Sequence, residues 1–449
     1  MSVIQMQTFN ISMDRIPLLP ILFATTFGLL FSACTQQPTV SEQNVSRIME
    51  TLSSDQMKGR HAFGSGIELA ADFISAEFEN IGLSTLPGKD NFRQEFSIYT
   101  LKPKNASIII NNREVGGQYY FGLTNAETVS WTPNNTNVNY ISAQDDYRKK
   151  FGEYSSDDES SVIVVDGEHE KLFHKYRTYF SRSNRTFELN SEPNDIFVIF
   201  DEKVNSYDIT LENTVKSQGL SNIIGKIEGK RENEIVLFSA HYDHIGVVSA
   251  VDEDSIANGA NDNASGVSAV IELARYFQNM PKPERTLYFV GFTAEEVGGY
   301  GSKYFSQQMD PNDIVAMFNI EMIGKPDVDG ANSAWITGFD KSTFGEILQN
   351  SVSDSNFVFY PDPYPNQNLF YRSDNATLAK LGVPAHTIST TPIDVDQDYH
   401  RVSDEFNTLD ITHATNTIRA IAKAARVIIS AEQTPTRILN GEDNLTSNK

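Results

Sequence analysis

The sequence predicts an α/β fold, with a mixed, mostly parallel central sheet that is flanked by helices and carries a β-rich insertion. Short apolar runs near residues 235–240, 286–292, 314–320 and 384–389 alternate with segments of helical character. Polar side chains of the metal-binding types follow several of these runs. Because ligands bind beyond the carboxyl ends of the strands in such sheets, the pattern also predicts where a functional site should lie.

Helices are expected at both ends of the main domain. The first lies near residues 44–54 and the second near 67–82, where LAADFISAEFENIGL places apolar residues at helical spacing and ends at Gly82. A third helix, near 412–432, is expected to close the domain. Because the 449 residues exceed one compact core, a main domain with an insertion is expected.

The insertion is predicted at residues 98–215, where the composition changes to β-type runs such as ASIII, SVIVV and IFVIF. It could be of the protease-associated type. The main domain then consists of residues 44–97 and 216–435, and a polar tail follows at 436–449. The Tyr- and Pro-rich stretch 359–371 is predicted to form a loop over the functional site.

Side chains of metal-binding types appear in one order along the second half of the chain. They are His241, Asp262, Glu295, Glu296, Glu321 and His400. Most of them lie within a few residues of the end of an apolar run, and a random scatter of polar residues would not do this repeatedly. Two imidazoles and three carboxylates, with one adjacent glutamate left as a base, predict a cage for two divalent metals, most naturally zinc.

The motifs HYDH, NDNASG, AEE, NIEMIG and YHRVSD, in this order, resemble those of one enzyme family. They resemble the co-catalytic zinc exopeptidases of the bacterial leucyl aminopeptidase and glutamate carboxypeptidase II family. The upstream segment LSSDQMKGRHAFGSGIELAADFISAEFENIGL is similar to the N-terminal helical entry of that family, so the resemblance spans residues 43–432. It implies the phosphorylase/hydrolase-like fold of the zinc aminopeptidases.

The resemblance also implies a role for each ligand. Asp262 would bridge two zinc ions. His241 and Glu321 would complete one metal site, and Glu296 and His400 would complete the other. Two metals that share a bridging carboxylate can also share one water and lower its pKa towards neutrality.

The resemblance further implies that Glu295 is the general base and that Asp243 orients His241. A base must not itself be a ligand, and neighbouring side chains on an extended backbone point apart, so Glu296 can bind metal while Glu295 faces the substrate. A histidine ligand usually donates its other N–H to a carboxylate, which suits Asp243. As an alternative, Asp243 is an ordinary turn residue after a strand.

Two positions depart from the family pattern. Glu321 stands where the family more often has Asp, which keeps the donor type and charge but predicts altered geometry or metal preference. Asn375 stands where relatives commonly have His, and it is expected to bear on substrate contacts. Just upstream, Tyr371 is a candidate for polarising the tetrahedral intermediate, with a packing role as the alternative.

Several other residues are interpreted as structural. His244 is expected to support the loop after the first ligand. The remaining histidines and both tryptophans lack partners at recognisable spacing; they are His61, His169, His174, His386, His413, Trp131 and Trp335.

The N-terminus predicts a lipoprotein signal peptide at residues 1–33. Residues 16–33 are apolar and uncharged, and Cys34, the only cysteine, follows small residues and precedes a polar tether at 34–43. The true start could be Met13. The alternative is a single membrane-spanning anchor, since the stretch is about long enough.

Lipidation at Cys34 would place the protein in a bacterial cell envelope, and Thr35 suggests the outer membrane by analogy. It would leave no free thiol, which removes thiol nucleophile mechanisms. The net charge of −23 speaks against a nucleic-acid partner. The expected partners are a peptide or small amide substrate and the membrane, through the lipid, with no obligate protein partner evident.

Three functions stay open at this point. The favoured one is a dinuclear zinc aminopeptidase that uses a metal-bridged water and Glu295 as the general base. The second is a zinc carboxypeptidase or another amidohydrolase with the same cage, and Arg372 is the nearby arginine that a carboxypeptidase would need. The third is a non-catalytic, receptor-like relative.

Overall fold

The structure is a computed structural model, and it describes residues 6–8, 10, 38–327 and 330–439. The chain divides into two units, Met1–Gln37 and Pro38–Lys449, and the fold below belongs to the second. Cys34 and almost all of the predicted signal peptide lie outside the described residues, as does most of the predicted polar tail. Across the described residues, no helix combines the length and the apolar character that crossing a membrane requires.

The described residues form nine α-helices. They are α1 Glu42–Leu52, α2 Gly66–Ile81, α3 Tyr147–Tyr154, α4 Glu170–Phe180, α5 Gly266–Gln278, α6 Tyr300–Gln308, α7 Phe344–Ser351, α8 Asn375–Ala379 and α9 Ile411–Ile429. Three of them, α1, α2 and α9, lie where the sequence predicts helices. As predicted, α2 ends at Gly82, which takes a left-handed conformation with φ of 83°.

The strands of the described residues number seventeen. They are β1 Arg93–Ile110, β2 Arg113–Glu114, β3 Tyr120–Leu123, β4 Thr128–Trp131, β5 Asn137–Ile141, β6 Ser161–Val165, β7 Asn184–Thr186, β8 Asp195–Ile199, β9 Tyr207–Ile227, β10 Arg231–His241, β11 Gly246–Val251, β12 Asp254–Ala257, β13 Arg285–Phe292, β14 Ile314–Ile320, β15 Ser333–Ile336, β16 Val358–Pro361 and β17 Ala385–Ser389. The four apolar runs of the sequence correspond to β10, β13, β14 and β17.

The central sheet has the order β16-β15-β17-β14-β10-β13-β9-β1-β2, with β4 and β7 paired at its antiparallel end. Its middle is parallel, because β10 pairs with both β13 and β14, and β14 pairs with β17, all in the same direction. The strands β9 and β15 join this block in antiparallel fashion. The predicted fold class, a mixed and mostly parallel sheet with flanking helices, is therefore confirmed.

The middle strands are buried on both faces, which explains why they read as continuous apolar runs. On one face, the ring of Phe238 stacks on those of Phe289 and Phe318, and this face packs against α1, α2, α5 and α9. On the other face, Leu237 and Met317 belong to a smaller core with residues of α6 and α8. The helices thus cover both sides and leave the carboxyl edge of the parallel block to carry the site.

The strands β1 and β9 form a long antiparallel ribbon, paired from Arg93 and Ile223 at one end to Ile110 and Tyr207 at the other. The part of the ribbon nearest the main domain belongs to the central sheet. Between the two strands, the chain builds a second, four-stranded sheet of order β3-β8-β6-β5, with α3 and α4 packed on it through an aromatic core. This unit occupies most of residues 98–215, and its likeness to a protease-associated domain stays a prediction.

Candidate metal centre

The predicted ligands lie at the carboxyl edge of the parallel block, as the sequence pattern indicates. His241 is the last residue of β10, Glu321 directly follows β14, and Glu296 lies four residues past the end of β13. Asp262 lies in the turn Ala260–Ser265 that leads into α5. His400 lies in the loop after β17. Five segments that are distant in sequence therefore contribute to one place.

Asp262 lies between the two imidazoles. Its Oδ1 lies 3.2 Å from Nε2 of His241, and its Oδ2 lies 3.3 Å from Nε2 of His400. Each oxygen of the carboxylate therefore faces a different histidine. This is the arrangement that a carboxylate needs in order to bridge two metal ions.

The outer ligands complete two groups around this carboxylate. Nε2 of His241 lies 3.7 Å from Oε1 of Glu321, and Nε2 of His400 lies 3.0 Å from Oε2 of Glu296. Zinc at about 2.0–2.2 Å from tetrahedral N and O ligands holds those ligands roughly 3.3 Å apart. The donor set and its spacing therefore fit one divalent ion on each side of Asp262.

The charges of the cage also suit cations. Desolvation opposes protonation of His400, but hydrogen bonds to Asp262 and Glu296 outweigh it and raise the pKa of His400 to about 10. Burial likewise opposes protonation of His241, yet the hydrogen bond to Asp262 and the nearby carboxylates raise the pKa of His241 well above its usual range. The concentration of buried carboxylates that stabilises these positive charges would equally stabilise divalent metal ions.

The adjacent glutamates occupy different environments. Glu296 contacts two imidazoles, those of His244 and His400, through its two oxygens. Burial raises the pKa of the Glu295 carboxyl well above its usual range, and the nearby charge of His241 only partly opposes this. A carboxylate with a raised pKa is a stronger base, so the predicted division between ligand and base is consistent with this geometry.

Asp243 acts through different atoms from those predicted. Nδ1 of His241 lies 3.1 Å from the main-chain carbonyl of Asp243, whereas the nearest oxygen of the Asp243 carboxylate lies 3.9 Å away. The carboxylate instead accepts the backbone N–H groups of Glu295 and Glu296, at 3.0 and 3.3 Å. The side chain of Asp243 therefore holds the backbone of Glu295 and Glu296, the predicted base and ligand, and its carbonyl holds the imidazole of His241.

His244, predicted as loop support, contacts the cage directly. Its Nδ1 lies 2.8 Å from Oε1 of Glu296, and its side chain is fully buried. Its Nε2 is buried without a hydrogen-bond partner among the described residues. The repeated histidine in HYDH was the only signal for this contact, because the partner lies 52 positions further along the chain.

Two further residues that sequence reasoning missed hold the ligand loops. The buried guanidinium of Arg60 donates to the carbonyls of Leu52, Tyr242, Asn258 and Gly259. It thereby ties α1 to the segments that carry two of the ligands. Burial lowers the pKa of Arg60 to about 10, so the side chain stays charged at neutral pH.

Asp404 is the second of these residues. Its two carboxylate oxygens accept the backbone N–H groups of Asn261 and Asp262, at 2.9 and 3.0 Å. Asp404 is the last residue of the YHRVSD motif, but no local pattern indicates that it contacts residues 261 and 262. These two hydrogen bonds fix the backbone at Asp262, the predicted bridging residue.

Glu321 and Asn375, the two positions that depart from the family pattern, each have defined hydrogen-bond partners. The Glu321 carboxylate accepts a hydrogen bond from Ser373, whose hydroxyl in turn accepts one from Asn319. Asn375 is fully buried and donates to the carbonyls of Phe370 and Ala385. The expectation that Asn375 bears on substrate contacts is therefore wrong, because its amide is used inside the core.

The two tyrosines near the site differ in position. Tyr371 is 39% exposed, and its ring contacts Phe370 and the ammonium of Lys341. The ring of Tyr399 stacks on the imidazole of His400 with centroids 3.9 Å apart. Burial and the charges of the cage, Asp262 foremost, raise the pKa of the Tyr399 hydroxyl, which therefore keeps its proton. Of these two tyrosines, only Tyr371 is a candidate from the sequence, and its role stays a prediction.

A cavity of about 140 Å³ lies beside Glu321. Its apolar lining includes Met322, Trp335, Leu369 and Ile393, and its polar lining includes Gln367, Arg372 and Ser373. Gln367 and Leu369 of the predicted loop 359–371 therefore line this cavity, whereas residues 359–361 belong to β16. The remaining histidines are structural where the environment is clear: His386, for example, is fully buried, contacts Ser342 and Thr337, and has its pKa lowered by burial to about 4.

Comparison with known proteins agrees with this architecture. Residues 222–425 match the family described as Peptidase family M28. The chain is 32% identical over 113 residues to "Aminopeptidase YwaD" of Bacillus subtilis, a stretch that covers 24% of this chain and 23% of that protein. It is also 32% identical over 115 residues to a "Probable zinc metalloprotease" of Pyricularia oryzae, over 25% of this chain and 22% of that protein. These alignments span about a quarter of each protein.

Solved structures share the fold over a longer stretch. A zinc aminopeptidase from Bacillus subtilis superposes with a TM-score of 0.52 at 15% identity, over 89% of this chain and 98% of that one. An aminopeptidase from Aneurinibacillus sp. strain AM-1 gives a TM-score of 0.51 at 18% identity, over 86% of this chain and 94% of that one. The fold of the described residues and the family match agree in the segment that carries the cage. Residues 222–425, the segment that matches Peptidase family M28, include every residue of the cage, and the match agrees with the predicted enzyme class, a metallopeptidase hydrolase.

Proposed function

We propose that this protein is a dinuclear zinc aminopeptidase that removes N-terminal residues from peptides. One observation carries the proposal: the two oxygens of Asp262 face two different imidazoles, and each imidazole faces a further carboxylate. His241, Asp262 and Glu321 would hold one ion, and Asp262, Glu296 and His400 the other. The names of the relatives, an aminopeptidase and zinc metalloproteases, support the reaction class and the metal.

When bound, the two ions would acidify a shared water and polarise the scissile carbonyl. The residues of the chain supply the rest of the catalysis. Glu295 would take the proton of the attacking water and pass it to the departing amine, for which its raised pKa is suitable. The protonated hydroxyl of Tyr399 would donate a hydrogen bond to the oxygen on which negative charge develops.

A carboxypeptidase is the second candidate, and one observation favours it. Arg372 lines the cavity beside Glu321, so an arginine is available near the cage to bind a terminal carboxylate. The two functions differ in which end of the substrate must be free. An aminopeptidase cleaves peptides with a free N-terminus and a blocked C-terminus, and a carboxypeptidase does the reverse.

The test uses the purified full chain with added zinc and a panel of short peptides blocked at either end. We expect hydrolysis of peptides that are amidated at the C-terminus and free at the N-terminus, and a metal content close to two ions per chain by elemental analysis. Hydrolysis of only the N-acetylated peptides would establish the carboxypeptidase. No hydrolysis of any peptide, with two ions bound, would support the receptor-like alternative.

The location of the protein is a separate proposal. We propose that Cys34 is lipidated and that the lipid attaches the chain to the bacterial cell envelope, at the outer membrane. The support is the sequence alone: an apolar stretch at 16–33, small residues before Cys34 and a polar stretch after it. Labelling with a fatty-acid analogue should mark the wild type and not Cys34→Ala. Labelling of that variant, or retention of the apolar stretch in the mature wild type, would contradict lipidation.

A further inference from the structure

We infer that the cavity beside Glu321 selects substrates whose N-terminal residue carries an acidic side chain, glutamate above all. The inference rests on the proposed aminopeptidase function and specifies its substrate class. It depends on which polar groups around the cavity still have hydrogen-bonding capacity to offer a ligand.

The cavity has the size of one side chain. Its volume of about 140 Å³ is well below the roughly 300–1,000 Å³ of pockets that enclose drug-sized ligands. It shares Glu321 and Tyr399 with the cage, so a group that enters it is attached close to the scissile bond. The occupant is therefore the side chain of the residue at the cleavage site, and not a longer piece of peptide.

Most polar groups of the lining are already engaged with the protein. The hydroxyl of Thr387 donates to Asn375 at 2.9 Å, and that of Ser389 donates to the carbonyl of Met322 at 3.2 Å. The hydroxyl of Thr337 accepts the backbone N–H of Thr387 at 3.1 Å. These groups have internal partners and offer little to a ligand.

Two polar side chains of the lining differ from these. Within the residues that the structure describes, neither the guanidinium of Arg372 nor the amide of Gln367 has a side-chain hydrogen bond or an ion pair. Both lie in the stretch that leads into α8, both line the cavity, and both carry N–H donors.

The other walls are suited to an aliphatic stem. Met322, Trp335, Leu369 and Ile393 offer apolar surface. A side chain with methylene groups and a terminal carboxylate matches both the apolar walls and Arg372. Its methylene groups would contact the apolar walls, and a guanidinium binds a carboxylate through charge-assisted and often paired hydrogen bonds. A leucine would fill the apolar part and leave Arg372 without a partner.

The experiment compares kcat/KM of the full-length zinc-loaded protein for glutamyl, glutaminyl, leucyl and lysyl reporter amides with free N-termini. We expect a preference for glutamyl over leucyl and glutaminyl reporters in the wild type. Arg372→Leu should lower the glutamyl-to-leucyl ratio about tenfold or more, because a charge-assisted contact is lost. Arg182→Leu, which removes an exposed arginine of the insertion, is the matched control and should leave the ratio unchanged.

A variant that reverses the charge at position 372 should change the substrate preference, which a general loss of activity would not do. Arg372→Glu should raise the lysyl-to-glutamyl ratio above that of Arg372→Leu, since the new carboxylate attracts an ammonium group. An unchanged glutamyl-to-leucyl ratio in Arg372→Leu, with leucyl hydrolysis intact, would overturn the inference and leave the aminopeptidase function standing. In the panel of blocked peptides described above, hydrolysis of only N-acetylated peptides with a C-terminal glutamate, lost in Arg372→Leu, would show that Arg372 binds a carboxylate of the C-terminal residue and would overturn the inference as well. Hydrolysis of no reporter at all would refute both proposals.

Discussion

Nδ1 of His244 lies 2.8 Å from one oxygen of Glu296, while the other oxygen of that carboxylate lies 3.0 Å from Nε2 of His400. His244 thus fixes the rotation of a carboxylate that is a predicted metal ligand. Partners of this kind contribute to metal affinity even though they do not touch the metal.

We predict that His244→Phe weakens zinc binding at one of the two sites by about 10–100-fold, because it keeps the ring volume and removes the donor. In His244→Asn, the amide nitrogen lies at the same number of bonds from the backbone as Nδ1, so much of the affinity should return. Competition with a chelator, followed by elemental analysis, measures both variants. Equal affinity in His244→Phe and the wild type would contradict this role.

Glu295 and Glu296 are adjacent and chemically alike, so their conservative variants separate base from ligand. Glu295→Gln cannot accept a proton, and kcat should fall roughly 10²–10⁴-fold while metal content stays near that of the wild type. Glu296→Gln should lose metal instead, because a neutral amide is a weaker zinc donor, and excess zinc should restore part of its activity. Metal loss in Glu295→Gln with full metal content in Glu296→Gln would mean that the two roles are exchanged.

Asp262 is the carboxylate that faces both imidazoles, so its removal should affect both metal positions. We predict that Asp262→Ala binds less than one ion per chain under conditions in which the wild type binds two. Asp340→Ala, which removes an exposed carboxylate, is the control and should bind as the wild type does. Elemental analysis after gel filtration gives the answer, and two tightly retained ions in Asp262→Ala would rule out the bridging assignment.

Arg60 should matter for stability as well as for the site. Arg60→Met removes a fully buried guanidinium that donates to four carbonyls, and those carbonyls would lose their partners. We expect a loss of about 3 kcal/mol or more in the free energy of unfolding, measured with chelator present so that metal binding does not contribute. Arg182→Met, at an exposed position, should change it by less than about 0.5 kcal/mol. A similar effect of both substitutions would show that the buried contacts contribute little.

The buried Asp195 lies in β8, remote from the cage, and we predict that its carboxyl makes the stability of the protein depend on pH. Burial, with Asp157 nearby, raises the pKa of its carboxyl to about 7, and one of its oxygens has no hydrogen-bond partner among the described residues. A folded-state pKa above the unfolded value means that stability is lost as pH rises between about 4 and 7.

Asp195→Asn removes this loss. The variant should exceed the wild type in free energy of unfolding at pH 8 by about 1–3 kcal/mol, and the difference should shrink towards pH 4. Denaturant titration at several pH values measures it, and the exposed Asp208→Asn serves as the control. A difference that is constant across this pH range would show that the titration of Asp195 is not its cause.

The sequence predicted those parts of the site that depend on local pattern. The positions of His241 and Glu321 are predictable because each lies at the carboxyl end of an apolar strand, and such ends meet at one edge of a parallel sheet. Arg60 and Asp404, which hold the segments of the site, were not predicted, because their contacts join parts of the chain that are far apart in sequence. Arg60 and Tyr242, for example, are 182 positions apart.

The tyrosines illustrate the same limit. The sequence offers Tyr371, just upstream of Asn375, as a candidate, whereas the ring that stacks on His400 is that of Tyr399, the residue directly before His400. Asn375 was assigned to the substrate from its position in a motif, but its amide hydrogen bonds lie in the core. A motif therefore located the region of the site, and the direction of each side chain depended on packing that the sequence alone does not reveal.

The ribbon formed by β1 and β9 determines how the second sheet could have been added to the main domain. Leu101 and Val215 are paired across it, so the chain leaves and re-enters the main domain at neighbouring points. A short turn between these two residues would close the pair as an ordinary β-hairpin. Everything beyond them is thus an elongated hairpin tip, where a whole folded unit can be inserted or removed without moving the strands that carry the predicted metal ligands.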